Sequence, residues 1–179
     1  VDQVIDAFSK RWRIDYDGRP IFGTSCIEFT ELLMGISKEI EIIPAHNWTS
    51  FFGCMGSKGG FDSLQECFED QVKHIHAIET GISSDPLMNR RVSSLDNFQL
   101  VSFSDMHSFW PWRIGREATL FDCELKYKDI IKAIKFQARV FFKKIKITFI
   151  TKNKGISQNI ILENKIPLSH YFRFLLFLS

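Results

Sequence analysis

No two cysteines in this sequence stand in CxxC spacing. The four of them, Cys26, Cys54, Cys67 and Cys123, are scattered. They read as reduced thiols of a cytoplasmic protein rather than as a disulfide framework or a zinc ribbon. No signal-peptide pattern stands at the start, and the sequence opens on Val1 rather than Met, as expected of a fragment or a processed product. The apolar end, Tyr171 to Ser179, is about half the length of a membrane span, so no membrane association is expected. No internal repeat is visible, which excludes a solenoid.

Charge of one sign is also scarce, in a different place in each part of the chain. Residues 1–125 carry 11 basic and 19 acidic side chains, a net of −8, whereas residues 126–179 carry 12 basic and only 2 acidic ones, a net of +10. The formal total of +2 hides this split between an acidic body and a basic end. A basic tail of that kind suits nucleic acid but does not demand it. With 45% hydrophobic and 25% charged residues in 179, one globular domain with a sizeable core is the expectation.

Apolar residues at helical spacing predict a first helix within residues 1–13. Asp17-Gly18-Arg19-Pro20 predicts a turn. Thr24 or Ser25 can cap a helix to about Ile36, and Glu28 three residues after Ser25 completes a capping-box pattern. Ile40 to Pro44 reads as a short buried strand, and residues 46–61 as a functional loop rich in Gly, Ser and aromatics. Asp62 or Ser63 caps a helix to about Lys73. His74–Thr80 is the next strand. Asp85-Pro86 opens a helix to about Leu95, because Pro suits a first helical turn. Phe98–Ser104 is a further strand, Ala118–Phe121 another, and 126–137 a helix. Alternating strand and helix predict an α/β fold of parallel type, with its site at the strand carboxyl ends. From about residue 139 the texture changes to an atypical basic tail, with Phe141–Ile150 alternating as a strand does, so the chain divides at 138/139.

Metal-ligand residue types stand at those strand ends: His46, Glu79, and Asp105 with His107. Imidazole and carboxylate together suit a divalent ion and hydrolytic chemistry. The bland readings are a structural His46, and a helix cap at Asp105 with a surface His107. Glu79 is open between metal ligand, holder of a ligating imidazole and partner of a loop amide. His74-Ile-His76 imitates a ligand pair but lies at the start of its strand. Ser57 and Lys58 in the Gly-rich loop suit a phosphate, or form a simple turn. Trp48, Phe51 and Phe52 suit either a stacked base or an apolar plug. Arg113 and Arg116 suit phosphate clamps, with an ion pair as the plain alternative for Arg116.

Many blocks in one order carry a resemblance. They include Asp17-Gly-Arg-Pro-Ile21, Ile43-Pro-Ala-His46-x-Trp48-Thr49, Gly56-Ser-Lys-x-Gly-Phe-Asp-Ser63, Glu66-Cys67-Phe68, Glu79-Thr-Gly-x-Ser-Ser-Asp-Pro86, Ser104-Asp105-x-His107-Ser108 and Ile114-Gly-Arg-Glu-Ala118. Over residues 15–135 the chain resembles the polymerase-and-histidinol-phosphatase (PHP) superfamily, and within it the endonuclease Q family. The resemblance implies a distorted β/α barrel and divalent ions such as zinc, manganese or magnesium. It also implies damaged DNA as partner, cut on the 5′ side of uracil, hypoxanthine or an abasic site. By motif, His46, Asp105 and His107 stand as metal ligands, and Glu79 as a residue close to the site. The family opens with a His-x-His pair near its N-terminus, ahead of the blocks matched here, and His74-Ile-His76 does not stand in its place, so the resemblance implies the later part of such a catalytic domain. Its Phe109-Trp-Pro-Trp112 is bulkier than the family's link. The alternatives are a small-molecule phosphoesterase of the same superfamily and an inactive remnant that binds DNA weakly.

Overall fold

The computed structural model describes residues 1–15, 21–110, 113, 117–121, 123–135 and 146–149. The turn expected at 17–20, Arg116, and most of the basic tail lie outside the described residues.

The helix expected near the start is α1, Asp2–Ser9. Its Phe8 meets Phe22 and Phe29 edge-on or tilted, at centroid distances of 5.4 and 5.5 Å, and Trp12 stacks on Phe22 at 4.4 Å. This aromatic knot fastens α1 to the next helix. That helix, α2, runs Cys26–Ile36 and starts as its sequence predicts. The Ser25 hydroxyl accepts from the Glu28 amide at 3.1 Å, and the Glu28 carboxylate accepts from the Ser25 amide at 3.4 Å. Two otherwise orphaned amides are thereby satisfied.

The helix expected over 63–73 is shorter. Ser63 caps α3, Leu64–Phe68, and Glu69 then takes φ +46° and ψ −123°, which ends the α-helix. The chain goes on as a 3-10 turn, Glu69–His74. The helix expected from Pro86 also divides, into α4, Pro86–Asn89, and a 3-10 turn at Ser93–Leu95. Asp85 caps α4 through the Met88 amide at 2.8 Å.

Strands β1, Ala77–Glu79, and β2, Gln99–Val101, pair in parallel with Ile78 opposite Leu100. The run at 40–44 makes only one bridge, Ile42 with Ile75, also parallel. It nonetheless follows β1: the Glu79 amide donates to the Pro44 carbonyl at 3.0 Å, and the Asn47 amide to the Glu79 carbonyl at 3.0 Å. A second, antiparallel pair joins β3, Glu117–Leu120, to β4, Lys146–Phe149. β4 therefore brings four residues of the basic segment onto the body of the chain.

Pleating sends alternate side chains of the parallel pair to two apolar clusters. Ile78 and Leu100 face Met55, Leu64, Cys67, Phe68, Ile75 and Leu95. Ala77 and Val101 face the other way, onto Ile134 with Ile130 and Ile131 beside it, all from α5, Tyr127–Lys135. A parallel pair covered on both faces is the usual condition of an α/β layer. Ile78 and Val101 are wholly excluded from solvent. Among the described residues no helix is long and apolar enough to cross a membrane.

Two substitutions separate end effects from core effects. Ser25→Ala should cost about 1 kcal/mol through the lost cap. Leu64→Ala, at a side chain 2% exposed, should cost about 2–5 kcal/mol through lost burial and a cavity. Urea midpoints of the two variants measure the difference.

Candidate functional site

His46 and the segment 102–107 lie just beyond the carboxyl ends of the parallel segments, and Glu79 closes one of them. Glu79 is the link between them. It is the last residue of β1 and only 4% exposed. One carboxylate oxygen accepts the His46 amide at 2.7 Å and the other accepts the Phe103 amide at 3.1 Å. Of the roles the sequence leaves open, the structure shows a partner of loop amides, and on two loops rather than one. Burial pushes the Glu79 carboxyl above its ordinary range, while the amides of His46 and Phe103 pull it back.

Both loops turn sharply at the candidate ligand. His46 has φ +35° and Asp105 has φ +46°. Left-handed backbone is uncommon outside glycine and costs about 1–3 kcal/mol unless the surroundings enforce it, although Asp and His tolerate it better than most. Around His46 the enforcing parts are the Glu79 carboxylate and Gly81. A Cβ placed on Gly81 would come within 2.8 Å of both the His46 Cα and Cβ, and Gly81 has φ +61°. Glycine is therefore required there on two counts.

The turn at Asp105 corrects the expectation of an extended strand end. β2 stops at Val101, and it is a bend, not strand alternation, that brings Asp105 and His107 together. His107 Nδ1 lies 2.9 Å from the Asp105 carbonyl and 3.8 Å from its carboxylate. A carbonyl only accepts, so Nδ1 donates, and the lone pair of the neutral ring sits on Nε2 of an exposed side chain. That is the tautomer of a metal-competent imidazole with its other nitrogen held.

His46 Nδ1 is buried and makes no hydrogen bond, and neither do both side-chain ends of Asn47 nor Thr80 Oγ1. Polar atoms left over in this number beside one strand end are unusual in a folded chain. An unpartnered buried imidazole nitrogen and a nearby carboxylate fit a divalent cation. The side chains of His46, Asp105 and His107 are not, however, gathered within 4.8 Å of one another. Among the described residues the one trio of that kind is Cys26, Cys54 and Cys67. Sequence spacing gave no sign of it, because the three thiols come from the first turn of α2, the 46–61 loop and α3. A metal-competent thiol cluster is thus present in the fold.

The remaining candidates are placed as follows. Ser57 and Lys58 are exposed on the Gly-rich loop, with the Lys58 amide bonded to the Ser50 carbonyl at 2.8 Å. The loop is tightly closed on itself: a Cβ on Gly56 would lie 2.2 Å from the Thr49 carbonyl oxygen. Trp48 is half-buried against the larger core, and its indole N–H donates to Asn89 at 2.8 Å. Phe51 and Phe52, by contrast, are 71% and 75% exposed. Arg113 is exposed, and Arg116 lies outside the described residues. His76, just before β1, is held by Glu41 at 2.8 Å, so this half of the His-x-His at 74–76 has a structural partner.

No family model matches the chain. An uncharacterized protein of Methanocaldococcus jannaschii is 31% identical over 94 residues, which is 49% of this chain and 11% of that protein. Two solved structures of endonuclease Q superpose with a TM-score of 0.65 at 29% identity, over 75% of this chain and 33% of theirs. One is the lesion-specific endonuclease of Pyrococcus furiosus, and the other a complex with a 27-mer duplex substrate carrying an abasic lesion at the active site. The chain is endonuclease Q-like. This endonuclease Q-like chain spans about a third of the solved enzyme's length and about a tenth of the curated relative's.

Two substitutions probe the link between the loops. Glu79→Gln turns an amide NH2 toward one of two backbone N–H groups and should destabilise the fold by about 1–3 kcal/mol. Gly81→Ala should cost a similar ~1–3 kcal/mol through left-handed strain and the clash with His46. Denaturant unfolding reads both, and a neutral Gly81→Ala would remove the claim that Gly81 shapes the His46 turn.

Proposed function

We propose that this chain is the later part of a PHP-type β/α barrel in a metal-dependent DNA endonuclease of the endonuclease Q kind. The reaction is cleavage of the DNA backbone on the 5′ side of uracil, hypoxanthine or an abasic site. The observation that carries the reading is the likeness, at 29% identity, to an enzyme solved with a lesion-bearing duplex. The buried, unpartnered Nδ1 of His46, on a loop that the Glu79 carboxylate ties to the segment leading to Asp105, supports it.

When bound, a divalent metal, with zinc, manganese or magnesium as candidates, would supply Lewis acidity toward a phosphate and lower the pKa of a bound water. His46, Asp105 and His107 are the residues that would hold it. His107 offers Nε2 because its Nδ1 is committed to the Asp105 carbonyl. Glu79 is a positioning residue: through two backbone amides it fixes the loops from which His46 and Asp105 project. Lys58 and Arg113 supply positive charge to a phosphate strand, and Ser57 a hydroxyl; Arg116 is assigned the same role by motif. Trp48 supports the rim of the site from the core. The exposed Phe51 and Phe52 on the same loop offer faces to an unstacked base.

Asp105→Asn keeps the shape of the side chain and removes its charge. In the natural full-length protein it should lower nicking of a uracil- or abasic-containing duplex by about 100-fold or more. Chelator should abolish the wild-type reaction, and duplex without a lesion should stay intact. Nicking by Asp105→Asn at the wild-type rate would end the proposal. Phosphate release from small monoesters without DNA nicking would make the protein a phosphoesterase instead.

A further inference from the structure

Away from the His46 site, three thiols meet at the edge of the larger core. Each of Cys26, Cys54 and Cys67 offers a sulfur, and the three sulfurs lie within 4.8 Å of one another. All are free thiols. Cys67 is buried at 3% exposure, and Cys26 and Cys54 pack against the same apolar cluster, partly reached by solvent. We propose that Cys26, Cys54 and Cys67 form a zinc site, distinct from the hydrolytic centre, that ties α2, the 46–61 loop and α3 together.

The chemistry of the donor set selects the ion. Three thiolates are soft ligands and exclude magnesium, calcium and manganese in favour of zinc or another thiophilic ion. Sulfurs on one tetrahedral zinc, at a Zn–S distance of about 2.3 Å, stand roughly 3.8 Å apart. The trio needs only a modest closing-in to reach that spacing. Rotation of the cysteine side chains about χ1 supplies such a move without disturbing the backbone. The fourth position falls to water on the solvent side, where Cys26 and Cys54 are incompletely covered.

Charge is handled by the fold. Three thiolates on a divalent ion leave one net negative charge. Cys26 is the first residue of α2, an eleven-residue helix, so its sulfur sits at the positive end of the helix dipole. Metal binding releases a proton from each sulfur that still carries one, so affinity rises with pH. No oxidant or reductant is involved.

The positions matter as much as the ligands. Cys54 belongs to the loop that begins at His46 and carries Phe51, Phe52 and Lys58. Through Cys54 the ion fixes that loop to the two helices on its inner side. The inference does not rest on the nuclease reading, since its readout is metal binding and not cleavage.

Cobalt(II) serves as the spectroscopic stand-in for zinc. The 179-residue chain, reduced and stripped of metal, is titrated with cobalt and then with zinc. One cobalt per chain with a thiolate-to-metal charge-transfer band, displaced by zinc, is the expected result. Cys54→Ser and Cys26→Ser should each lose the band, and Cys123→Ser should keep it. Far-UV circular dichroism of each metal-free variant establishes that it is folded. Zinc should also raise the melting temperature of the wild-type chain and not that of Cys54→Ser. No thiolate band in the folded wild-type chain, or a band that survives in both folded variants, would overturn the proposal.

Discussion

The Glu79 carboxylate is the constraint on which the site depends. A buried carboxylate is costly unless both oxygens are hydrogen-bonded. Here the partners are the backbone amides of His46 and Phe103, residues 33 and 24 positions away in the chain. Side chains could swing away; backbone amides cannot without moving their loops. The same carboxylate therefore sets where the loop after 44 and the loop after β2 leave the sheet. The left-handed backbone at His46 and Asp105 follows as the local cost of that arrangement. Gly81, pressed against His46, removes the one steric obstacle to it.

Much of the framework was legible in the sequence because it rests on local chemistry. Ser25 with Glu28, Ser63, and Asp85-Pro86 each specify a helix start through contacts three residues apart, and all three starts are where the sequence puts them. Helix ends were less legible. Glu69 breaks the helix expected to reach Lys73 with a backbone conformation that no glycine announces. The run 40–44 has the composition of a strand, but its pairing reduces to one bridge and the bonds at Pro44 and Asn47. Parallel pairing of β1 with β2 was expected from the alternation of strand and helix, and it is present.

The site was legible in residue type and opaque in geometry. His46, Glu79, Asp105 and His107 are chemistry-bearing types near strand ends in the sequence, and the structure puts Glu79 at the end of β1 and the other three on the loops that follow neighbouring segments. The double amide contact of Glu79 could not be read from spacing, because it joins residues far apart in the chain. The thiol trio was invisible for the same reason: nothing in the intervals between 26, 54 and 67 encodes convergence. What reveals it is tertiary, the packing of α2 and α3 against one core.

The Gly-rich loop is closed on itself by hydrogen bonds, with the Met55 amide on the Asn47 carbonyl at 2.9 Å and the Phe61 amide on the Cys54 carbonyl at 2.7 Å. It is a built surface and not a slack flap. Phe51 and Phe52 are displayed on it with their backbone already in place. A partner that covers those rings gains apolar contact without having to freeze the segment that carries them, and loop ordering is one of the main costs of association. The glycines that close the loop would thus contribute to any such binding without contacting what is bound, and a longer or looser loop with the same two aromatics would hold it less well.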